Sequence, residues 1–180
     1  MDGKEFLINK INRYRGLPSE FHYETNVTAI VNLLLDICDI RGIYGYIIKD
    51  ESYMIAVRKS IPSELKYRKG DKLIFKETDK PIRGGYLVEE EKPLLIIECK
   101  SHRETSDVFL EKDNAQLVTY MSTLNFPYGV LISEYKASIY KGKYTSRSTN
   151  VEHERDIGDI VENIDNLMGF IKKACKYDDV

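Results

Sequence analysis

The stretch Pro93-Leu94-Leu95-Ile96-Ile97-Glu98-Cys99-Lys100 constrains this chain more than any other. Four successive apolar residues leave no polar face for water, so residues 94–97 read as a strand covered on both sides, at the centre of a sheet with helices packed on it. The strand then ends in two charged residues spaced i, i+2, which puts Glu98 and Lys100 on one face and Cys99 in the opposite, apolar layer. A carboxylate and an ammonium are thereby delivered together at the edge of a core, where either is costly without a partner. Chemically, Glu98 could hold a hard divalent cation while Lys100 stabilises an attacking water or a charged phosphate. The plainer reading is a strand that reaches solvent and ends in a surface ion pair, and from Glu-x-Lys alone it is the commoner outcome.

The rest of the chain supplies the layers that such a strand needs. Phe6, Leu7, Ile8, Ile11 and Tyr14 mark a short first helix ended by Gly16 and Pro18. Val27, Ile30, Val31, Leu34, Leu35 and Cys38 recur at spacings of 3, 1, 3, 1 and 3, which predicts an amphipathic helix over residues 23–37. Residues 43–48 and 53–57, separated by Lys49-Asp50-Glu51-Ser52, read as a hairpin, with further strands at 72–76 and 85–88. Ala115, Val118, Met121 and Leu124 predict a helix that stops near Asn125, because Pro127 disfavours helical geometry just before itself. Strands at 128–132 and 137–140 follow, and residues 141–155, polar and without an apolar period, read as a loop. Ile157, Ile160, Val161, Ile164, Leu167, Met168 and Ile171 form the stripe of a last helix over about residues 156–175. The order is that of an α/β sandwich, a mixed sheet flanked by helices, and 180 residues call for a single core.

Charge bears on the partner. Lys plus Arg number 27 against 29 Asp plus Glu, and the net charge of −2 excludes a uniformly basic coat, so phosphate contact needs local concentrations of cations. There are two. Residues 58–76 carry Arg58, Lys59, Lys66, Arg68, Lys69, Lys72 and Lys76 against Glu64 and Asp71. Residues 135–151 carry Lys136, Lys141, Lys143 and Arg147 with no acid, interleaved with Tyr135, Tyr140 and Tyr144. Such segments give non-specific phosphate affinity and rings for stacking on unpaired bases, although a charge run is as often a solvated face. Arg68, Lys69, Lys136, Lys141, Lys143 and Arg147 are the expected nucleic-acid contacts.

Cys38, Cys99 and Cys175 lie far apart, and their odd number argues against a disulfide framework and for a reducing, intracellular compartment, cytoplasmic or nuclear. The charged N-terminus MDGKEFLINKINRYRG lacks the apolar run of a signal peptide, and no apolar run approaches the ~20 residues of a membrane span. A soluble protein with no membrane partner is expected. His22, His102 and His153 have no zinc spacing, although His102 is close enough in sequence to approach Lys100.

Taken together, these residues resemble the core of the PD-(D/E)XK nuclease superfamily, and most closely the N-terminal nuclease domain of type I restriction motor subunits and related endonuclease-like proteins. Besides Glu98-Cys99-Lys100, the likeness rests on Glu24 at the start of the second helix, on Gln116 and Tyr120 as a Gln-x-x-x-Tyr motif, and on the strand pair at 128–133 and 137–140. It covers roughly residues 20–141. The resemblance implies a restriction-endonuclease-like fold and hydrolysis of phosphodiester bonds, in DNA before RNA. It further implies Mg²⁺ or Mn²⁺ held by Asp71, Glu98, the backbone carbonyl of Cys99 and Glu24, with Lys100 as electrostatic stabiliser and Gln116 and Tyr120 orienting it. The iron–sulfur branch of the superfamily is excluded by the cysteine count. One departure matters: the first metal-binding Asp of the closest relatives falls here at Gly85. Asp71, which also precedes an apolar strand, replaces it only if residues 77–93 are an insertion between paired strands; otherwise Asp71 is a turn residue after Gly70. If neither position serves, the expectation becomes a nuclease-fold module that binds nucleic acid, a protein partner or a second copy without cleaving.

Overall fold

The apolar run becomes the third of the six strands found among the described residues, and the remaining elements assemble around it. The computed structural model describes residues 2–53, 69–77, 92–101 and 109–176. Its elements are α1 (Gly3–Arg15), α2 (Glu24–Ile37), β1 (Tyr46–Tyr53), β2 (Lys69–Lys76), β3 (Lys92–Cys99), α3 (Glu111–Leu124), β4 (Tyr128–Ile132), β5 (Ala137–Tyr144), β6 (Thr149–Ile157) and α4 (Ile164–Ala174). The strands lie in the order β1-β2-β3-β4-β5-β6, with β3 and β4 parallel and every other neighbouring pair antiparallel. A parallel pair needs a crossover, and α3 lies within the one between β3 and β4. The chain is thus an α/β protein with a mixed sheet, as expected.

Burial explains the layering. On one face, Leu95, Ile97, Cys99, Val130 and Ile132 pack in one cluster with Leu7 and Ile11 of α1, Val27, Ile30, Val31 and Leu34 of α2, and Leu167 and Ile171 of α4. On the other, Leu73, Phe75, Ile96 and Leu131 meet Leu117, Tyr120 and Met121 of α3. The contact with α3 is close: a Cβ at Gly129 would overlap the Met121 Sδ, so any side chain there requires Met121 to move. The helix stops where Pro127 requires, with Asn125 in the left-handed region at φ 57°. No helix among the described residues is long and apolar enough to cross a membrane, and the three cysteines are buried, unbridged thiols.

Three sequence expectations are corrected. The proposed hairpin turn at residues 49–52 is instead part of β1, which continues to Tyr53 against β2; Asp50 accepts an ion pair from Lys72 at 2.6 Å and the Lys49 amine lies 5.2 Å over the Phe75 ring, so these polar residues are satisfied within the strand. Residues 141–155 are the rest of β5, a tight turn and most of β6 rather than a loop. They show no apolar period because β6 is an edge strand exposed along most of its length, with polar cross-strand pairs such as Lys141–Glu154 at 2.7 Å. The last helix starts at Ile164, not near 156: Ile157 pairs with Ala137 in the sheet, and the Asp159 carboxylate accepts the Val161 and Glu162 N–H groups in an intervening turn. The expected strand at 85–88, Gly85, His102, Arg68 and most of the 53–57 strand lie outside the described residues.

Candidate active site

Two strand ends meet at the candidate centre. β2 runs antiparallel to β3 with Lys72 opposite Ile97, and one further step of that register brings Asp71 to Glu98. The Cys99 N–H donates to Asp71 Oδ2 at 2.6 Å, which fixes that carboxylate at the end of β3. The alternation of β3 sends Cys99 into the layer beneath α2 and Glu98, with Ile96, toward α3. Lys100 follows the strand by one residue, and its N–H donates to the Ile132 carbonyl at 2.8 Å.

The side chains converge. Lys100 Nζ is 3.2 Å from Glu98 Oε1 and 3.9 Å from Glu24 Oε1 at the start of α2. Gln116 and Tyr120 share one face of α3 by their spacing of four. The Gln116 amide donates to Glu98 Oε1 and to the Tyr120 hydroxyl, both at 2.9 Å, while its carbonyl oxygen accepts a long bond from Lys100 at 3.4 Å. Gln116 therefore sets the angle between acid and amine. The other carboxylate oxygen, Glu98 Oε2, is buried with no hydrogen-bond partner among the described residues.

Electrostatics follow from this geometry. Burial, with Glu98 only 2% exposed, pushes its carboxyl up from an ordinary 4.5 to about 7; the Asp71 charge pushes the same way, and Lys100 opposes it. Burial pulls the Lys100 amine down, but Glu98 and Glu24 together outweigh it and the net displacement is upward. In the metal-free protein the folded state thus holds a proton on Glu98 that the unfolded chain has released between pH 4.5 and about 7. Stability present at low pH is lost as pH rises through 7. Glu98→Gln removes that loss, and metal-free denaturation at pH 8 should find it more stable than wild type by ~1–3 kcal/mol, with the gap closing toward pH 4. Equal pH slopes for the two proteins would contradict the buried-carboxyl account.

The other expected site residues are divided by the topology. Lys136, between β4 and β5, is at the same end of the sheet, its amine 4.8 Å over the Phe109 ring. Lys141, Lys143 and Arg147 are not: β5 runs away from this end, and Lys143 is five residues beyond Ser138, the residue level with Leu131 and Glu98. That is about 17 Å of strand. Lys141 is moreover paired with Glu154. Lys72, counted in the first basic run, is buried against Asp50 and cannot face phosphate; Lys69 opens β2. Tyr140 is buried and bonded to Asn114, so it is not available for stacking, and the Tyr144 hydroxyl is held by the Met121 and Phe126 carbonyls.

Sequence reasoning missed one supporting pair. His22 Nδ1 lies 2.7 Å from Glu134 Oε1, both groups buried, which ties the segment before Glu24 to the turn after β4. A lone histidine between two aromatics carries no spacing signal, and its partner is 112 residues away.

Asp71 and Glu98 are hard oxygen donors, and the orphaned Glu98 Oε2 is a lone pair in need of a partner, so the donor chemistry fits a small divalent cation. Among the described residues no group of three or more His, Cys, Asp or Glu side chains converges in a way that could hold a metal. Backbone and water would have to complete the shell, as they commonly do for Mg²⁺. No protein-family model, curated protein or solved structure matches this chain.

Proposed function

We propose that this protein is a metal-dependent nuclease that hydrolyses phosphodiester bonds, in DNA before RNA. The observation that supports the reading is the Asp71–Cys99 bond of 2.6 Å, which holds a second carboxylate at the end of β3 next to the Glu98–Lys100 pair. Asp71 and Glu98 would hold Mg²⁺ or Mn²⁺, assisted by the Cys99 backbone carbonyl, while Glu24 would act on Lys100 rather than as a third carboxylate ligand. Such an ion, when bound, acidifies the attacking water and neutralises charge developing at phosphorus. The residues themselves do the rest. Lys100, held 3.2 Å from Glu98, presents an ammonium to a phosphate oxygen or to the attacking water. Gln116 keeps Glu98 and Lys100 in register, and the buried Tyr120 hydroxyl holds Gln116 in turn.

A second reading, a nuclease-fold module that binds without cutting, is favoured by the shortage of side-chain donors beyond the two carboxylates. Incubation with single- and double-stranded DNA and RNA separates the two. Cleavage is expected with Mg²⁺ or Mn²⁺ and none in EDTA. Glu98→Ala and Lys100→Ala should each lower the rate by about a hundredfold or more with the folded state retained. Metal-independent cleavage, or undiminished rates in both variants, would contradict the enzyme reading.

A further inference from the structure

Phe21, His22 and Tyr23 precede Glu24, and the fold treats them differently. His22 is buried between Glu134 and the Leu17 carbonyl, each contact 2.7 Å, whereas Phe21 and Tyr23 on either side are 48% and 46% exposed. The backbone carrying them is pinned as well. The Phe21 N–H donates to the Pro18 carbonyl at 2.9 Å, the Phe21 carbonyl accepts from the Asn26 amide at 2.9 Å, and the Tyr23 carbonyl accepts from the Asn26 N–H at 3.0 Å. With the histidine anchored inward, the two large rings are held outward, which gives up the burial that rings of this size otherwise gain.

Position identifies what covers them. Tyr23 caps α2, and the carboxylate of its neighbour Glu24 is 3.9 Å from Lys100 Nζ. Glu134, which holds His22, is two residues past Ile132, whose carbonyl accepts the Lys100 N–H. Tyr135 beside it is 38% exposed under the Arg15 guanidinium, 5.0 Å from the ring centre. Exposed rings thus border the same end of the sheet as Glu98 and Lys100, while the Arg15 guanidinium beside them is neutralised by Asp159 at 2.9 Å. Faces of unstacked bases match such a border, since every base offers a π-face and a duplex hides it within the stack.

We propose that Phe21 and Tyr23 form a stacking platform for the unpaired bases of a single-stranded nucleic acid whose backbone passes Lys100. The inference deepens the nuclease reading and rests on it for the path of the backbone.

The test is fluorescence anisotropy of the full chain in EDTA, with a short fluorescein-labelled oligothymidylate and a blunt duplex of equal length as probes. Phe21→Ala and Tyr23→Ala should each weaken oligothymidylate binding by roughly five- to a hundredfold. Duplex binding should hold, Tyr23→Phe should bind as wild type does, and thermal midpoints should match because both rings are half-exposed. Wild-type oligothymidylate affinity in both alanine variants, or an equal loss on the duplex, would overturn the proposal. So would sedimentation of a wild-type dimer that Tyr23→Ala converts to monomer with oligothymidylate affinity unchanged, which assigns the rings to a second copy of the chain. Cleavage is scored separately with Mn²⁺: ring-dependent binding without cleavage keeps the platform and removes the nuclease, and cleavage with ring-independent binding does the reverse.

Discussion

Asp71→Asn is expected to abolish metal-dependent cleavage, lowering the rate by about a thousandfold or more, because a catalytic ion supplies several kcal/mol of charge stabilisation. The substitution is a clean probe. An asparagine oxygen can still accept the Cys99 N–H bond that Asp71 accepts now at 2.6 Å, so the β2–β3 edge survives while the charge is lost. Loss of that charge also removes one of the influences that push the Glu98 carboxyl up, so Glu98 should ionise at lower pH in the variant. The comparison is made at saturating Mn²⁺ and at several pH values, with circular dichroism as the control for folding. Wild-type cleavage by a folded Asp71→Asn protein would remove Asp71 from the site.

His22→Ala should destabilise the fold by about 1.5–3 kcal/mol, the usual loss when one member of a buried hydrogen-bonded pair is removed. A carbonyl oxygen only accepts, so the His22 Nε2 facing Leu17 carries a proton, and Nδ1 shares another with Glu134 at 2.7 Å. Truncating His22 removes a hydrogen bond from a carboxylate that is 2% exposed, and Glu134→Ala removes the partner of Nδ1. Replacing both by leucine should cost much less than the two single losses added, since apolar packing there needs no partner. Urea denaturation of the four proteins reads this directly. Single variants within about 1 kcal/mol of wild type would show that the pair merely fills space. The pair also bears on the site, because the segment that it holds carries Glu24 to within 3.9 Å of Lys100.

What was legible in the sequence follows from where each signal originates. A strand buried on both faces leaves an unbroken apolar run, and a helix buried on one face leaves a period near four, so β3, α2 and α3 could be read from residues 94–97, 27–38 and 115–124. The meeting of Glu98, Lys100, Gln116 and Tyr120 follows from two local periods, 2 on a strand and 4 on a helix. The nearness of Asp71 to the end of β3 did not, because it depends on a register between strands separated by residues 77–91, and only the pairing of Lys72 with Ile97 supplies that register. Charge runs misled for a related reason. Lys72 and Lys141 count as free cations in a linear reading, and both are neutralised by partners on the neighbouring strand, Asp50 and Glu154. β6 was hidden because an edge strand in water needs no apolar face.

Whether Asp71 and Glu98 hold one divalent ion beside Lys100 is read from a crystal of the full chain soaked in Mn²⁺, through the anomalous signal of the ion. A peak is expected within about 2.0–2.6 Å of one Asp71 oxygen and one Glu98 oxygen, absent from Asp71→Asn crystals soaked alike. A wild-type crystal with full Mn²⁺ occupancy elsewhere and none between those two carboxylates would contradict it.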